Sequence, residues 1–396
     1  MNRPIAFILI TMLIDAMGIG LILPVMPDLI QEVTGEGLGT AADWGGILAS
    51  AFAVMQFLCG PFLGNLSDRF GRRPVILISL AVLAVDYLVM GLANTIWLLL
   101  VFRIVGGAAA ATQSTANAFM ADISTPEEKA ARFGLIGAAF GLGFVLGPVI
   151  GGLLAEFGTR APFFAAGGLA LVNLLFGFFV LPETLRRPRA FDWGRVNPLS
   201  AFRHIGALPG LGRLLVLVFL YEFAFIVYPA VWAYFGAERF GWSPGMIGLS
   251  LAFFGVSMAV VQGALIKPLM RWLGERGTIL YGICFNIAAF VILGLIESGT
   301  WALLFTPVTA LGAVVNPALQ GLMSKRTDDD RQGELQGAIT SVRALALVMS
   351  PLVMTRVFSA FIDESGPYLP GAPFLLSAAL VGGCLLLWIT RAREHP

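Results

Sequence analysis

Charge is scarce in this chain. Asp, Glu, Lys and Arg make up 12% of its 396 residues and hydrophobic residues 58%, whereas soluble domains carry about 25% charged residues. A soluble protein of this length could not cover its core with so little polarity. Cysteine is nearly missing as well: Cys59, Cys284 and Cys384 each lie inside an apolar stretch, which argues against a disulfide framework and a metal cluster. His204 and His395 are the only histidines, and both fall in expected loops. A zinc site and a Ser-His-Asp triad are therefore excluded, and no nucleophile–base pair is visible. Neither an enzyme nor a metal nor any cofactor is expected. With a net charge of +1 and no basic tail, the chain also gives no sign of nucleic-acid binding.

What it does contain is long apolar runs. A helix spanning a bilayer needs about 20 mostly apolar residues. Such runs fall at 5–30, 45–67, 75–93, 96–120, 131–155, 161–181, 211–236, 245–269, 277–297, 301–323, 333–360 and 369–391, twelve in all. The first is too long for a cleaved signal peptide and lacks a small-residue cleavage site, so it reads as a membrane helix. Between the sixth and seventh runs, the segment 183–210 holds Arg186, Arg187, Arg189, Arg195, Arg203, Pro188 and Pro198. It reads as a linker between an N-terminal bundle at 1–182 and a C-terminal bundle at 211–396. Twenty of the 25 basic residues lie at the termini, in loops after even-numbered runs or at the run ends beside those loops. Only Arg160, Arg239 and Arg356 lie on the other side, and the first loop carries Asp28, Glu32, Glu36 and Asp43 with no basic residue. Positive-inside logic puts both termini in the cytoplasm.

The two halves repeat. A shift of 203 brings Gly71 onto Gly274, Arg73 onto Arg276, Ile76 onto Ile279, Gly91 onto Gly294, Met120 onto Met323, Gly134 onto Gly337 and Pro148 onto Pro351. One offset linking separated segments implies two homologous six-helix bundles related by an axis along the membrane normal. Such pairs hold substrate at their interface near the midplane and work by rocking. The expected fold is an all-α membrane protein of twelve transmembrane helices in two pseudo-symmetric bundles.

Residues 64–74, GNLSDRFGRRP, form a charged turn between two apolar runs. Gly71 permits a sharp reversal. Arg69, Arg72 and Arg73 suit a helix C-terminus facing lipid headgroups. Asp68 does not, because an anion at a helix C-terminus is unfavourable. It would gain by capping the eleventh run near Gly333 when the cytoplasmic side is closed, while Asp122 would pair with Arg72 or Arg73. Positive-inside decoration alone would explain the arginines but not Asp68. The second copy of the turn, RWLGER at 271–276, has Arg271 in place of Asp68. The GNLSDRFGRR string resembles the loop signature of the major facilitator superfamily, a large group of secondary transporters.

The fifth run reads GAAFGLGFVLGPVIGG from Gly137 to Gly152. Its glycines do not have dinucleotide-loop spacing, and no strand precedes them. They are paired as Gly137/Gly141, Gly143/Gly147 and Gly147/Gly151, with Gly152 beyond, which lets a neighbouring helix approach closely. Pro148 should bend the span. Generic packing is the plainer reading. The pattern also resembles the fifth-helix signature of drug:proton antiporters within the superfamily.

Other segments add to this: LIDAMGIGLILPVMPDL, QFLCGPFLG, VDYL, RIVGG, MADI, RFGWSPGMIGLSL, NPALQGLMS and RQGELQG. Together they resemble the tetracycline/proton antiporters of Gram-negative bacteria over nearly the full chain, most densely in the first half. The resemblance implies drug efflux driven by proton influx across the bacterial inner membrane. It carries over Asp15, Gln56, Asp86 and Arg103 as intramembrane polar residues, and Asp68, Arg69, Arg72 and Arg73 as a gate loop. Two positions depart from that family: Met258 stands where it has a histidine, and Asn286 where it has an aspartate. Glu222 and Arg343 are additions of this chain.

Asp15, Gln56, Asp86, Glu222, Asn286 and Arg343 all lie about ten residues into their runs, hence about 15 Å deep. A charged side chain there costs about 2.5–3.5 kcal/mol on insertion scales, so a layer of them implies a wet cavity, mutual pairing, or both. Asp15, Asp86 and Glu222 are the candidate proton-coupling carboxylates. Gln56, Arg103, Asn117, Asn286, Asn316, Gln320 and Arg343 are the candidate cavity residues. Structural bonding between helices is the alternative for each, and Glu222 with Arg343 is the expected ion pair. The reading is a monomeric secondary antiporter exchanging an amphiphilic drug, tetracycline-like or another antibiotic, for protons. The rival classes are a transporter of an endogenous metabolite or lipid and a non-transporting receptor, the latter disfavoured by the midplane carboxylates.

Overall fold

The computed structural model describes residues 3–110, 112–185, 190–193, 196, 210–328, 331–363 and 366–394, and everything it describes is helix or short connection. Most of the expected 183–210 linker, with His204, lies outside the described residues, as does His395. The helices are α1 Arg3–Ile22, α2 Met26–Thr34, α3 Leu38–Phe70, α4 Arg72–Leu92, α5 Ile96–Ala109, α6 Thr112–Asp122, α7 Pro126–Leu154 and α8 Ala161–Val180. They continue with α9 Gly212–Phe225, α10 Val227–Phe240, α11 Pro244–Val260, α12 Ile266–Leu295, α13 Gly299–Thr309, α14 Val315–Lys325, α15 Gln332–Ala360 and α16 Ala372–Glu394. Local sequence sets several of the ends. Thr125-Pro126-Glu127-Glu128 forms a capping box at the start of α7. The Thr95 side chain accepts from the Leu98 amide at the start of α5.

Eleven helical stretches among the described residues are long and apolar enough to cross a membrane. The count falls one short of the twelve expected runs because Pro244–Leu295 is continuous over 52 residues. Within it, Val261–Leu265 is π-helical, and at Gly274 the backbone leaves the helix with φ +66° and ψ −179°. A straight 52-residue helix would be about 78 Å long, more than twice the apolar thickness of a bilayer. Gly71, the repeat-mate of Gly274, has φ +112° between α3 and α4. The offset of 203 thus pairs two left-handed glycines, a conformation in which a Cβ would be strained.

By contacts the chain divides into two compact units. One holds residues 1–36, 51–198 and 243–252; the other holds 37–50, 199–242 and 253–396. The long helices α3 and α11 therefore contribute a segment to each.

In the first unit α1 packs along α7, and α4 along α8. A Cβ on Gly143 would strike the Leu13 carbonyl oxygen, and one on Gly151 that of Leu21. One on Gly147 would come within 2.6 Å of the Met17 carbonyl. Gly152 faces elsewhere, with its Cβ position 2.6 Å from the Pro244 carbonyl and 2.8 Å from the Gly245 Cα at the start of α11. The glycine ladder therefore serves two neighbours, with Pro148 between them touching both Gly20 and Gly248. Gly137 and Gly141 correct the expectation: they are exposed and nothing stands within 4 Å of their Cβ positions. They lie on another face of α7: Ile136 and Gly143, two turns apart on one side, are buried residues that meet α1. Phe7, Ile8, Met12, Ile76, Leu80, Phe119, Met120 and Ile136 form an apolar cluster in this unit, and Thr11 bonds Asn173 at 3.2 Å to tie α1 to α8.

In the second unit, α9 lies against α15 and α16, and α12 against α16. Its centre is aromatic: Tyr228 sits 4.8 Å from Phe254, 5.6 Å from Phe290 and 5.9 Å from Phe374, ring centre to ring centre. Lipid gives helices no hydrophobic drive to associate, so close packing and buried bonds hold such bundles together. Gly151→Val should accordingly lower the yield of monodisperse protein and its thermal midpoint, because a backbone oxygen cannot yield as a side chain can. Gly141→Val should leave both near wild type. Size-exclusion profiles and thermal unfolding of the two purified variants check this contrast.

Candidate functional site

The turn between α3 and α4 is held by a charge network. Arg72 is the hub: its guanidinium reaches Asp68 at 2.6 Å, Ser67 Oγ at 2.7 Å and Asp122, at the end of α6, at 3.2 Å. The Asp122 partner was expected. Glu183 was not. Its two carboxylate oxygens accept from the backbone amides of Arg72 and Arg73 at 3.0 and 3.1 Å. These are the first free N–H groups of α4, where an anion is favoured. The signal was an acidic residue in LPET at the end of the sixth run, directly among arginines. Arg73 donates to the Phe178 carbonyl at 2.6 Å, and Arg69, exposed, lies over the Phe70 ring at 5.0 Å. Asp68 is thus joined to Arg72 in this structure. In the other unit, Arg331, the residue that opens α15, makes no side-chain cap hydrogen bond to that helix.

Within the membrane helices of the first unit, Asp86 and Arg103 form an ion pair between α4 and α5. Asp86 is 0% exposed. Gly106, one turn after Arg103, makes room for it: a Cβ there would stand 2.7 Å from the carboxylate. The guanidinium also lies over the rings of Phe52 at 5.0 Å and Tyr87 at 5.9 Å. Asp86, expected to couple protons, is sealed by this packing, and Arg103, expected in the cavity, has its charge occupied. Asp15 is different. It is half-buried on α1, and among the described residues no cation or hydrogen-bond donor pairs with it. Tyr87 lies close by, since a Cβ on Gly18, one turn from Asp15, would come within 2.9 Å of its hydroxyl. Gln56 on α3 and Asn117 on α6 are half-buried.

In the second unit, Arg343 Nε approaches Glu222 Oε1 at 2.8 Å, bringing α15 and α9 together as the expected ion pair. Asn286, expected in the cavity, is only 1% exposed. Its amide donates to Tyr221 Oη at 2.8 Å and to the Gly312 carbonyl at 3.1 Å, and Tyr221 itself donates to that carbonyl at 3.3 Å. A carboxylate at 286 could not donate to a carbonyl, so this junction of α9, α12 and the 310–314 turn is built for an amide. Met258 packs on an apolar cluster of Val261, Leu269, Ala313 and Val314. Asn316 and Gln320 are half-buried on α14, and Gln320 bonds Gln336 of α15 at 3.2 Å. Among the ion pairs not anticipated, Arg356 meets Asp43 at 2.6 Å, and Ser359 meets the same oxygen at 3.2 Å. Both charges stood out in the sequence only as residues of the outer loops.

Against known proteins, the Major Facilitator Superfamily model matches residues 8–351. The class C tetracycline resistance protein of Escherichia coli is 39% identical over 97% of this chain and 96% of its own. The class G tetracycline resistance protein of Vibrio anguillarum is 38% identical over 88% of each chain. Among solved structures, the human organic anion transporter MFSD10 superposes with a TM-score of 0.69 at 27% identity, over 98% of this chain and 99% of its own. The chain belongs to the major facilitator superfamily and is a multi-pass transporter of the bacterial inner membrane, not an enzyme.

Proposed function

We propose that this protein is a drug efflux antiporter that exchanges an amphiphilic compound for protons. The observation that carries the reading is Asp15, a half-buried carboxylate at mid-helix with which no cation pairs among the described residues, in a chain 39% identical to a tetracycline resistance protein. A lone carboxylate at that depth is expensive while charged. It is stable there if it alternates between binding a proton and facing water, which is what coupling requires. Asp86, already neutralised by Arg103, serves as a fixed strut in this scheme. The 52-residue helix turned at Gly274 supplies two crossings, giving twelve with both termini in the cytoplasm and two repeated six-helix bundles. A second reading, export of an organic anion, is favoured by the match to the human organic anion transporter.

Asp68 acts on the conformational balance. It is engaged with Arg72 here, and Arg331, the residue that opens α15, makes no side-chain cap hydrogen bond to the N-terminus of that helix. When the cytoplasmic side closes, Asp68 caps that terminus. Such contacts are worth about 0.3–2 kcal/mol, enough to shift populations several-fold.

In proteoliposomes with an imposed pH gradient, Asp15→Asn should abolish uphill drug movement and drug-dependent proton flux, while Asp86→Asn should lower folded yield first. Concentrative transport by Asp15→Asn would remove this residue from coupling. Asp68→Asn should slow transport several-fold with drug affinity nearly unchanged. A loss of affinity equal to the loss of rate would contradict the conformational role.

A further inference from the structure

We infer that Arg343 is an anion-binding residue, so that the substrates of this transporter carry a negatively charged group that docks on its guanidinium in competition with Glu222. The inference rests on the transport reading above and names the substrate class for it. Three observations lead to it.

The first is exposure. Arg343 is the twelfth residue of the 29-residue α15, about 18 Å along it, yet 39% of its side chain is open, against 17% for Glu222. A guanidinium open to lipid at that depth is costly, and such residues face a bundle interior or a water-filled path. Thr340 and Gln336, one and two turns before Arg343 on the same face of α15, are also exposed. With Gln320 bonded to Gln336, they make a polar track along α14 and α15.

The second is donor geometry. Although Arg343 Nε is 2.8 Å from Glu222, its N–H is not aligned into a hydrogen bond. Among the described residues, its terminal amino groups have no partner. The charge is balanced, but the fork of donors that makes arginine suited to bidentate carboxylate recognition is unspent.

The third is contrast with the other arginines in or near the membrane. Arg103 is bonded to a fully buried Asp86 and covered by two rings. Arg72 spends its donors on Asp68, Ser67 and Asp122. Arg343 alone of these three combines a half-open side chain with terminal donors that have no partner among the described residues. Its counter-ion is the less accessible partner, so an incoming ligand meets the cation.

The test uses the purified full chain with two fluorescent probes, fluorescein as the anion and ethidium as the cation, read by anisotropy. Wild type should bind fluorescein. Arg343→Gln should weaken fluorescein binding by about tenfold or more, the worth of a charged hydrogen bond, and leave ethidium within about twofold. Glu222→Gln should tighten fluorescein binding, because the competing carboxylate is gone. Removing one charge of a pair strands the other, so Glu222→Gln/Arg343→Gln is measured as well and should lose the anion as Arg343→Gln does. Unchanged fluorescein affinity in both Arg343 variants would overturn the inference, as would equal loss of both probes or a wild type that binds ethidium and not fluorescein. Proton flux in vesicles is scored separately: anion binding at Arg343 without drug-linked proton movement would sink the antiport reading and leave this one standing.

Discussion

A charge inside the bilayer must be paired or wet, and the arrangement of polar residues in this protein follows from that constraint. Each membrane charge described here meets it in its own way. Asp86 is neutralised by Arg103, whose guanidinium is covered by the rings of Phe52 and Tyr87. Glu222 neutralises Arg343 while leaving part of it open. Among the described residues Asp15 has no such partner, which is why we propose a proton for it. The same cost explains the scarcity of charge in the chain, since every ionisable group retained at depth needs a helix positioned to answer it.

The helices can supply those answers only because they approach closely. In the first unit, Gly143, Gly147 and Gly151 let α7 run against the backbone of α1, the helix that carries Asp15. Gly106 does the same on a smaller scale for Asp86. In the second unit, Gly312 leaves room for Asn286, whose amide binds two helices and a turn together. Small residues and polar groups thus work as pairs: the absence of a side chain on one helix admits the functional group of the next.

The loop network follows different physics, because its carboxylates are partly open, Asp68 and Asp122 at 30% each, around a largely covered Arg72. Exposed ion pairs are individually weak, yet Glu183 answers the free amides of α4 and Arg72 links α3, α4 and α6. These contacts fix the geometry of the turn at modest energy. A modest energy suits the switching role we propose for Asp68, since contacts that had to be broken at great expense would hold the protein in one state.

Much of this was legible in the sequence, for specific reasons. Apolar runs report spans because lipid demands them, and the turn at Gly71 and its repeat at Gly274 report themselves through the glycine a positive φ requires. The Arg72–Asp122 and Glu222–Arg343 pairs could be anticipated because opposite charges at one depth have few other partners. The composition and period of the chain therefore determined its helical class and its layer of polar residues, while its motifs carried the resemblance to its family. Which of those residues are sealed and which are open was decided only by tertiary packing. Asp15 and Asp86 have the same side chain at similar depth, and Asn286 and Arg343 both read as cavity residues. Rotation of one helix against its neighbour buries Asp86 and Asn286 and leaves Asp15 and Arg343 accessible. Depth is a property of position along one helix, whereas access depends on the side chains of others, and no single segment encodes it.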